Sequence, residues 1–186
     1  ITQQKFISLH GPRWRLVIVG AGQLSVYLAQ MAQALDYKVI VCDPREEYSL
    51  TWNVDGTELK TGMPDDVISD LNLDSRSAVV TLTHDPKIDD MALLEALKSS
   101  AFYVGALGSS KTSEKRKERL AMFDLSKEET DKLHGPIGLK IGGKTPPEIA
   151  VSILSEMVAK RHGKFLVDSE LNKVNTISKR KKTEFV

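Results

Sequence analysis

A glycine turn between an apolar run and a helical pattern constrains the fold of this chain more than any other feature. The apolar run at residues 16–19 leads directly into Gly20-Ala21-Gly22, and a helix-like pattern begins at Gln23. A turn of this kind brings backbone N–H groups and the positive end of a helix dipole close to a bound pyrophosphate. The third small position of the motif, where glycine or alanine is usual, is Ser25, which adds a hydroxyl and some volume.

A carboxylate follows at the position that a dinucleotide-binding fold requires. The β-prone run at residues 39–42 ends in Asp43, about 20 residues after the glycine turn, where such folds place the group that binds the ribose hydroxyls. Asp43 favours NAD, whereas Arg45 is near enough to accept the 2′-phosphate of NADP, so the choice stays open. Because a glycine turn alone is weak evidence, a Rossmann-like domain with a vacant or repurposed site is the alternative.

Strand-like and helix-like runs alternate along the chain, which predicts an α/β fold with a doubly wound, mostly parallel, Rossmann-like sheet. The ligands of such a sheet lie beyond the carboxyl ends of its strands. Strands are predicted at 15–19, 38–42, 78–83, 102–104 and 138–141, with a hairpin at 48–60. Helices are predicted over 23–36, 64–71, 88–98, 110–122 and 146–161, with a further short helix capped by Ser126 and Glu129.

The length of 186 residues is enough for one α/β domain. We expect a lead-in over 1–14, the Rossmann-like domain over 15–163, and a C-terminal extension with a basic tail over 164–186. The chain begins at Ile1 rather than at a methionine, so an upstream signal or domain stays open.

The composition is that of an ordinary globular protein, with 41% hydrophobic and 27% charged residues. A net charge of +1 provides no overall field for nucleic acid or a membrane, and the basic stretch 111–119 is interpreted as a solvated helix face. No apolar run approaches the roughly 18 residues of a membrane helix. The single cysteine, Cys42, excludes an internal disulfide and fits a reducing compartment, so we expect a cytoplasmic protein.

Three further loops are expected at the ligand-binding edge of the sheet. The first contains His84 and Asp85, in which an imidazole beside a carboxylate could transfer a proton or hold a polar ligand. The alternative is that Asp85 caps the next helix, with Pro86 at its first position. The other histidines show no ligand-like spacing, so no metal site is predicted.

The other two loops are rich in glycine and suited to an anionic group. One is a strand-to-helix turn with Gly105, Gly108, Ser109 and Lys111, for which a plain connection is the alternative. The other contains Gly142, Gly143, Lys144 and Thr145.

Residues 138–145 also match the Walker A pattern GxxxxGK[ST]. We reject that interpretation because two prolines follow Thr145 and would disturb the first helical turn, where a P-loop lysine and threonine lie. Thr145 as N-cap, Pro146 as first helical residue and Glu148 as capping-box partner fit better. This arrangement still offers N–H groups and Lys144 to an anion.

The sequence His134-Gly135-Pro136-Ile137-Gly138-Leu139, followed by the segment 141–150, closely resembles the XdhC/CoxI family of accessory factors for xanthine dehydrogenase and related molybdenum hydroxylases. Residues 20–24, 41–45, 84–87 and 103–109 support the resemblance, which covers about 15–163 and looks like the C-terminal Rossmann domain of that family.

The resemblance implies a protein that binds the molybdenum cofactor, protects its sulfurated form and delivers it to an apo-enzyme of the xanthine dehydrogenase type. It implies a cysteine desulfurase as a second partner, and it leaves a homodimer open. The family's N-terminal domain, with its cysteine motif, is absent from this chain, and Cys42 is not assigned that role. Ser110 occupies a position where relatives often have a basic residue.

We therefore expect a carrier rather than a catalyst, with no catalytic and no metal-binding residue. A small NAD(P)-dependent oxidoreductase is the rival, although only His84 and Asp85 could act as its acid/base pair, and a nucleotide-sensing or dimerisation module is the third interpretation. The residues predicted to bind the cofactor, molybdopterin by resemblance or else NAD or NADP, are Gly20, Gly22, Gln23, Leu24, Asp43, Arg45, His84, Asp85, Gly105, Gly108, Ser109, Lys111, Gly142, Gly143, Lys144 and Thr145.

Overall fold

A computed structural model describes residues 14–164 of the chain. Its strands are β1 (Trp14–Val19), β2 (Tyr37–Cys42), β3 (Glu58–Lys60), β4 (Ser77–Thr81), β5 (Tyr103–Ala106) and β6 (Leu133–His134). Its helices are α1 (Gln23–Ala34), α2 (Glu46–Ser49), α3 (Pro64–Asp70), α4 (Pro86–Lys98), α5 (Ser110–Leu120), α6 (Lys127–Asp131) and α7 (Pro146–Arg161).

The six strands form one parallel sheet in the order β3-β2-β1-β4-β5-β6, which confirms the predicted Rossmann-like fold. The order reverses between β1 and β4, because the chain builds outward first on one side of β1 and then on the other. The predicted lead-in and basic tail lie outside the described residues, apart from Trp14 and Lys164. In the part of the chain that the structure describes, no helix is both long and apolar enough to cross a membrane.

The central strands are apolar runs because helices cover both faces of the sheet. Alternation along β1 places Leu16 and Ile18 in the core beneath α1 and α7, and Val17 and Val19 in the core beneath α4. All four side chains are fully buried.

The predicted helix starts are confirmed where local chemistry decides them. Asp85 caps α4, with its Oδ1 accepting a hydrogen bond from the Lys87 N–H at 2.8 Å. Capping boxes begin α6 at Ser126 and α7 at Thr145. Of these helices, α4 begins at the carboxyl edge of the sheet, because it follows β4 directly.

The predicted hairpin at 48–60 is wrong. The segment forms α2 and then β3, which pairs in parallel with β2. A turn does occur at Gly56 (φ +74), but a relay of hydrogen bonds closes it, from Trp52 Nε1 to Thr57 Oγ1 and from that hydroxyl to the Val54 carbonyl. The free edge of β2 is the better partner for β3, because pairing there extends an existing sheet.

The predicted strand at 138–141 is also wrong, and the last strand is β6 instead. Gly138 has φ +89, and its N–H donates to Glu156 at 2.6 Å rather than to a neighbouring strand. The strand predicted at 102–104 extends through Gly105 and Ala106, so the turn after it is shorter than expected.

Candidate ligand-binding crevice

A crevice lies beyond the carboxyl ends of β1 and β4, where the strand order reverses, which is the usual ligand position in open α/β sheets. It encloses about 300 Å³. Its basic side chains are Arg45 and Lys144, and among the residues that the structure describes no carboxylate lines it. The other lining residues are Gly22, Gln23, Leu24, Ser25, Tyr48, Leu82, Thr83, His84, Leu107, Pro146 and Ile149. The crevice is therefore suited to an anionic ligand with an apolar part.

The two glycines of the β1–α1 turn differ in what surrounds them and in what a side chain at each position would contact. Gly20 has φ +108, and a Cβ there would lie 3.0 Å from Thr83 Cγ2 and 3.2 Å from the Thr83 nitrogen. Gly20 is thus required by the protein itself. Gly22 is the N-cap of α1 with φ −85, and a Cβ there would meet no atom of the described residues within 4 Å. The space in front of Gly22 is open to a ligand.

Ser25 provides an unpaired donor in the first turn of α1. The residue is 1% exposed, it lines the crevice, and its Oγ has no hydrogen-bond partner within the described range. A buried hydroxyl without a partner costs about 1–3 kcal/mol, so such groups are uncommon unless something else binds them. The sequence indicated this hydroxyl but not its role, and Ser25 was not among the predicted binding residues.

Asp43 is fully buried, and hydrogen-bond donors occupy both of its oxygens. Oδ2 accepts from the Ala21 N–H at 2.8 Å and from Arg45 Nη2 at 2.8 Å. Oδ1 accepts from the Arg45 N–H at 3.1 Å and from Arg45 Nε at 2.9 Å. Burial alone would raise the pKa of Asp43, but the hydrogen bonds from Arg45 and Ala21 outweigh it and hold the pKa below its usual value. Asp43 is therefore an ionised carboxylate that fixes Arg45 and the glycine turn.

Arg45 continues from this ion pair to the wall of the crevice. Its guanidinium lies 4.0 Å from the centre of the Tyr48 ring, and its side chain is 23% exposed. A cation over an aromatic face, held on its edge by a carboxylate, has little rotamer freedom left.

Two interpretations of His84 and Asp85 stood open, an acid/base pair and a helix cap. Asp85 caps α4, as the structural alternative predicted, while the exposed His84 lines both the crevice and a neighbouring cavity of about 360 Å³. Gly108 also lines this second cavity, beneath the start of α5.

A buried ion cluster that the sequence did not predict lies in the wall of the second cavity. Arg116, 3% exposed, donates to Asp89 Oδ2 at 2.8 Å and to the Leu107 carbonyl at 3.0 Å. Thr83 Oγ1 donates to the other Asp89 oxygen at 2.7 Å. Burial raises the pKa of Asp89 to about 6, although Thr83 and Arg116 oppose the shift. For Arg116, the interpretation of the basic stretch as a solvated face is wrong, because the helix places this arginine on its buried side.

Of the remaining predicted residues, all except Lys144 lie around the crevice rather than in it. Gly105 belongs to β5, where a Cβ would lie 2.7 Å from Ile137 Cδ1. Ser109 caps α5 through its Oγ, and Lys111 is exposed on that helix. Of the loop at 142–145, only Lys144 lines the crevice.

The loop before α7 does not offer all the N–H groups that the sequence suggested. The N–H groups of Lys144 and Thr145 both donate to Glu148 Oε2, at 2.9 Å each. Thr145 lies outside the helix as its N-cap, which agrees with the rejection of a Walker A site. What this loop presents to the crevice is the Lys144 side chain.

Glu156 of α7 fixes the segment with the His-Gly-Pro motif. Its Oε2 accepts from Tyr103 Oη at 2.5 Å and from the Gly138 N–H at 2.6 Å, and its Oε1 is 2.9 Å from His134 Nδ1. The Tyr103 and His134 rings stack at 4.4 Å. The motif therefore sets the path from β6 to α7, and with it the position of Lys144. No local signal in the sequence links Glu156 to residues 53 and 22 positions away.

The strand order, together with a crevice lined by basic residues at the point of reversal, defines a Rossmann-type domain with a candidate ligand site. The particular family follows from comparison with known sequences. The chain belongs to the XdhC family, because the profile of the XdhC Rossmann domain matches residues 16–157. The resemblance stated from the motifs is thereby confirmed.

Named relatives agree with this assignment. The chain is 33% identical over 163 residues to a probable xanthine dehydrogenase subunit of Bacillus subtilis, covering 86% of this chain and 47% of the relative. It is 33% identical over 89 residues to the molybdenum cofactor insertion chaperone PaoD of Escherichia coli, covering 48% of this chain and 28% of the relative. The crystal structure of a xanthine dehydrogenase from Bacillus halodurans is similar, with a TM-score of 0.69 and 27% identity over 83% of this chain and 44% of that one. The chain thus spans less than half of each of these relatives.

Proposed function

We propose that this chain acts in the maturation of a xanthine dehydrogenase-type enzyme, as the part of an accessory factor that binds the molybdenum cofactor for insertion. The names of the relatives support this role. The observation that carries it is the crevice itself. There the Ser25 hydroxyl, without a partner in the described part of the chain, lies at the start of α1, and Arg45 and Lys144 supply positive charge.

The residues of the crevice fit a phosphorylated pterin. Its phosphate would be held by the first turn of α1, where Gly22 leaves space and Ser25 offers a donor. The ring system would contact the apolar side chains of Leu24, Leu82 and Ile149. A volume of about 300 Å³ is at the lower end of small-molecule sites. The cofactor, when bound, supplies the molybdenum centre that the recipient enzyme uses.

On this proposal the chain orients and shields its cargo rather than transforming it. Delivery to the apo-enzyme, a cysteine desulfurase as sulfur donor, and a cytoplasmic location belong to the same proposal. The only acid/base pair that the sequence suggested has its carboxylate engaged as a helix cap.

The direct test is binding of molybdenum cofactor that has been freshly released from a purified molybdoenzyme under anaerobic conditions. We expect saturable, stoichiometric co-elution of molybdenum with the chain, measured by elemental mass spectrometry after gel filtration. Gly22→Val should abolish co-elution without unfolding the protein, because its backbone is extended and its Cβ meets open space. Gly22→Ala is the matched control and should bind more tightly than the valine variant. Equal co-elution from all three proteins, or none from the wild type, would overturn the proposal.

A nucleotide-sensing module is the second candidate, favoured by the strand order of dinucleotide-binding domains. Saturable binding of NAD or NADP without binding of the molybdenum cofactor would support it over the first.

A further inference from the structure

In this chain, the hydrogen-bond acceptor that a dinucleotide-binding fold normally presents at the end of β2 is already engaged by groups of the protein. A carboxylate at this position ordinarily accepts hydrogen bonds from the ribose hydroxyls. Asp43 occupies it, but the residue has 0% exposure and receives four hydrogen bonds, all from Ala21 and Arg45. A ribose diol, whose hydroxyls need an acceptor, would meet a carboxylate whose two oxygens are already engaged.

The group presented in its place is a cation. A guanidinium has five N–H donors in a planar fork. Asp43 takes one from Nε and one from Nη2, so three remain after this pairing. Arg45 lines the crevice, and its guanidinium lies 4.0 Å from the centre of the Tyr48 ring. This end of the crevice therefore donates hydrogen bonds and carries positive charge where a diol-binding site accepts them.

From this geometry we propose that Arg45 is the specificity-determining residue of the crevice and selects a ligand with a phosphate monoester at the β2 end over the same ligand with free hydroxyls. Asp43 acts as a positioning residue, through Arg45. The inference goes beyond the proposed function, because the phosphate of a pterin would lie at the first turn of α1, whereas Arg45 would bind a phosphate at the β2 end. It rests on the proposed function to the extent that the crevice must bind a phosphorylated ligand.

Two features make Arg45 effective in this role. Asp43 and Tyr48 already fix its side chain, so binding immobilises little further. The lining of the crevice includes Lys144 and, within the described residues, no carboxylate that would repel a doubly charged phosphate. Hydrogen bonds from a guanidinium to a phosphate are charge-assisted and bidentate, which gives selectivity of about tenfold to a hundredfold.

NADP⁺ and NAD⁺ form a matched pair of probes, because they differ only by the 2′-phosphate. We expect titration calorimetry of the whole chain to give an affinity for NADP⁺ at least about tenfold higher than for NAD⁺. Arg45→Lys keeps a positive partner for the buried Asp43, so this variant should fold. It loses the planar set of donors of the guanidinium, so the ratio of the NADP⁺ and NAD⁺ affinities should come close to one. Lys144→Ala is the control, which should weaken both probes by a similar factor and leave the ratio unchanged.

Each outcome bears on the inference and separates it from the proposed function. An NAD⁺ affinity equal to or higher than that of NADP⁺, an unchanged ratio in Arg45→Lys, or no binding of either probe would overturn the role of Arg45. Any of these combined with saturable binding of the molybdenum cofactor would leave the proposed function standing. An Arg45-dependent preference for NADP⁺ without cofactor binding would support the inference and refute the proposed function.

Discussion

Ser25→Ala should change the stability of the free protein and its ligand affinity in opposite directions. The substitution removes a buried hydroxyl that has no partner among residues 14–164, which costs the folded state about 1–3 kcal/mol. Alanine is also the better helix former, by roughly half a kcal/mol. The small void left by one oxygen offsets part of this gain, so we expect a net stabilisation of about 1 kcal/mol, or about 2–4 °C in Tm for a domain of this size.

The same hydroxyl should donate to a bound phosphate, because it lies in the first turn of α1 and lines the crevice. A hydrogen bond to a charged group contributes about 1.5–3 kcal/mol, so the variant should bind inorganic pyrophosphate about tenfold to a hundredfold more weakly. Calorimetric unfolding without ligand measures the change in stability, and titration with pyrophosphate measures the change in affinity.

Ser113→Ala is the matched control for Ser25→Ala. Its Oγ is likewise buried and without a partner in the described structure, but it lies on α5 against Gly135 and does not line the crevice. This variant should gain stability and keep the affinity of the wild type. The reasoning is refuted if Ser25→Ala lowers Tm, or if both serine variants have the same affinity for pyrophosphate.

Three further changes test the interior. The pKa of Asp89 is raised to about 6 from 3.8, so its contribution to the free energy of unfolding is largest below pH 4 and is lost as the pH rises through 6. Between pH 4 and 6 the free energy of unfolding, measured by urea titration, should therefore fall less steeply with pH in Asp89→Asn than in the wild type. Glu156→Gln should lose about 2–4 kcal/mol by the same assay, because three donors share that carboxylate, and a loss below 1 kcal/mol would contradict this. Gly105→Ala should lose about 1–3 kcal/mol because its Cβ would overlap Ile137, and an unchanged Tm would contradict the packing.

The fold was predictable from the sequence because its signals are local. Buried parallel strands must be apolar on both faces, so β1, β2 and β4 appear as continuous apolar runs separated by helical patterns. The helix starts were equally accessible, since a cap and its partner lie within three residues, as at Ser126 and Thr145.

The wrong predictions share a dependence on partners that are distant along the chain. The segment 48–60 was predicted as a hairpin because two β-prone runs flank a turn, but the partner of β3 is β2. The segment 138–141 is β-prone, yet Glu156 captures the Gly138 N–H that a strand would need. Arg116 appeared solvated within a basic helix because nothing near it in sequence shows that Asp89 lies opposite.

The residues of the candidate site also fall into two groups, those that the fold itself requires and those that indicate a ligand. Gly20 is required by the approach of Thr83, so it would be glycine in a protein of this fold that binds nothing. Asp43, buried and saturated by Arg45 and Ala21, serves the architecture as well. The glycine turn and the carboxylate therefore predict the fold. The indication of a ligand comes from Ser25 and Arg45, whose donors the protein leaves partly unused at the wall of the crevice, and it is their chemistry that points to a phosphorylated one.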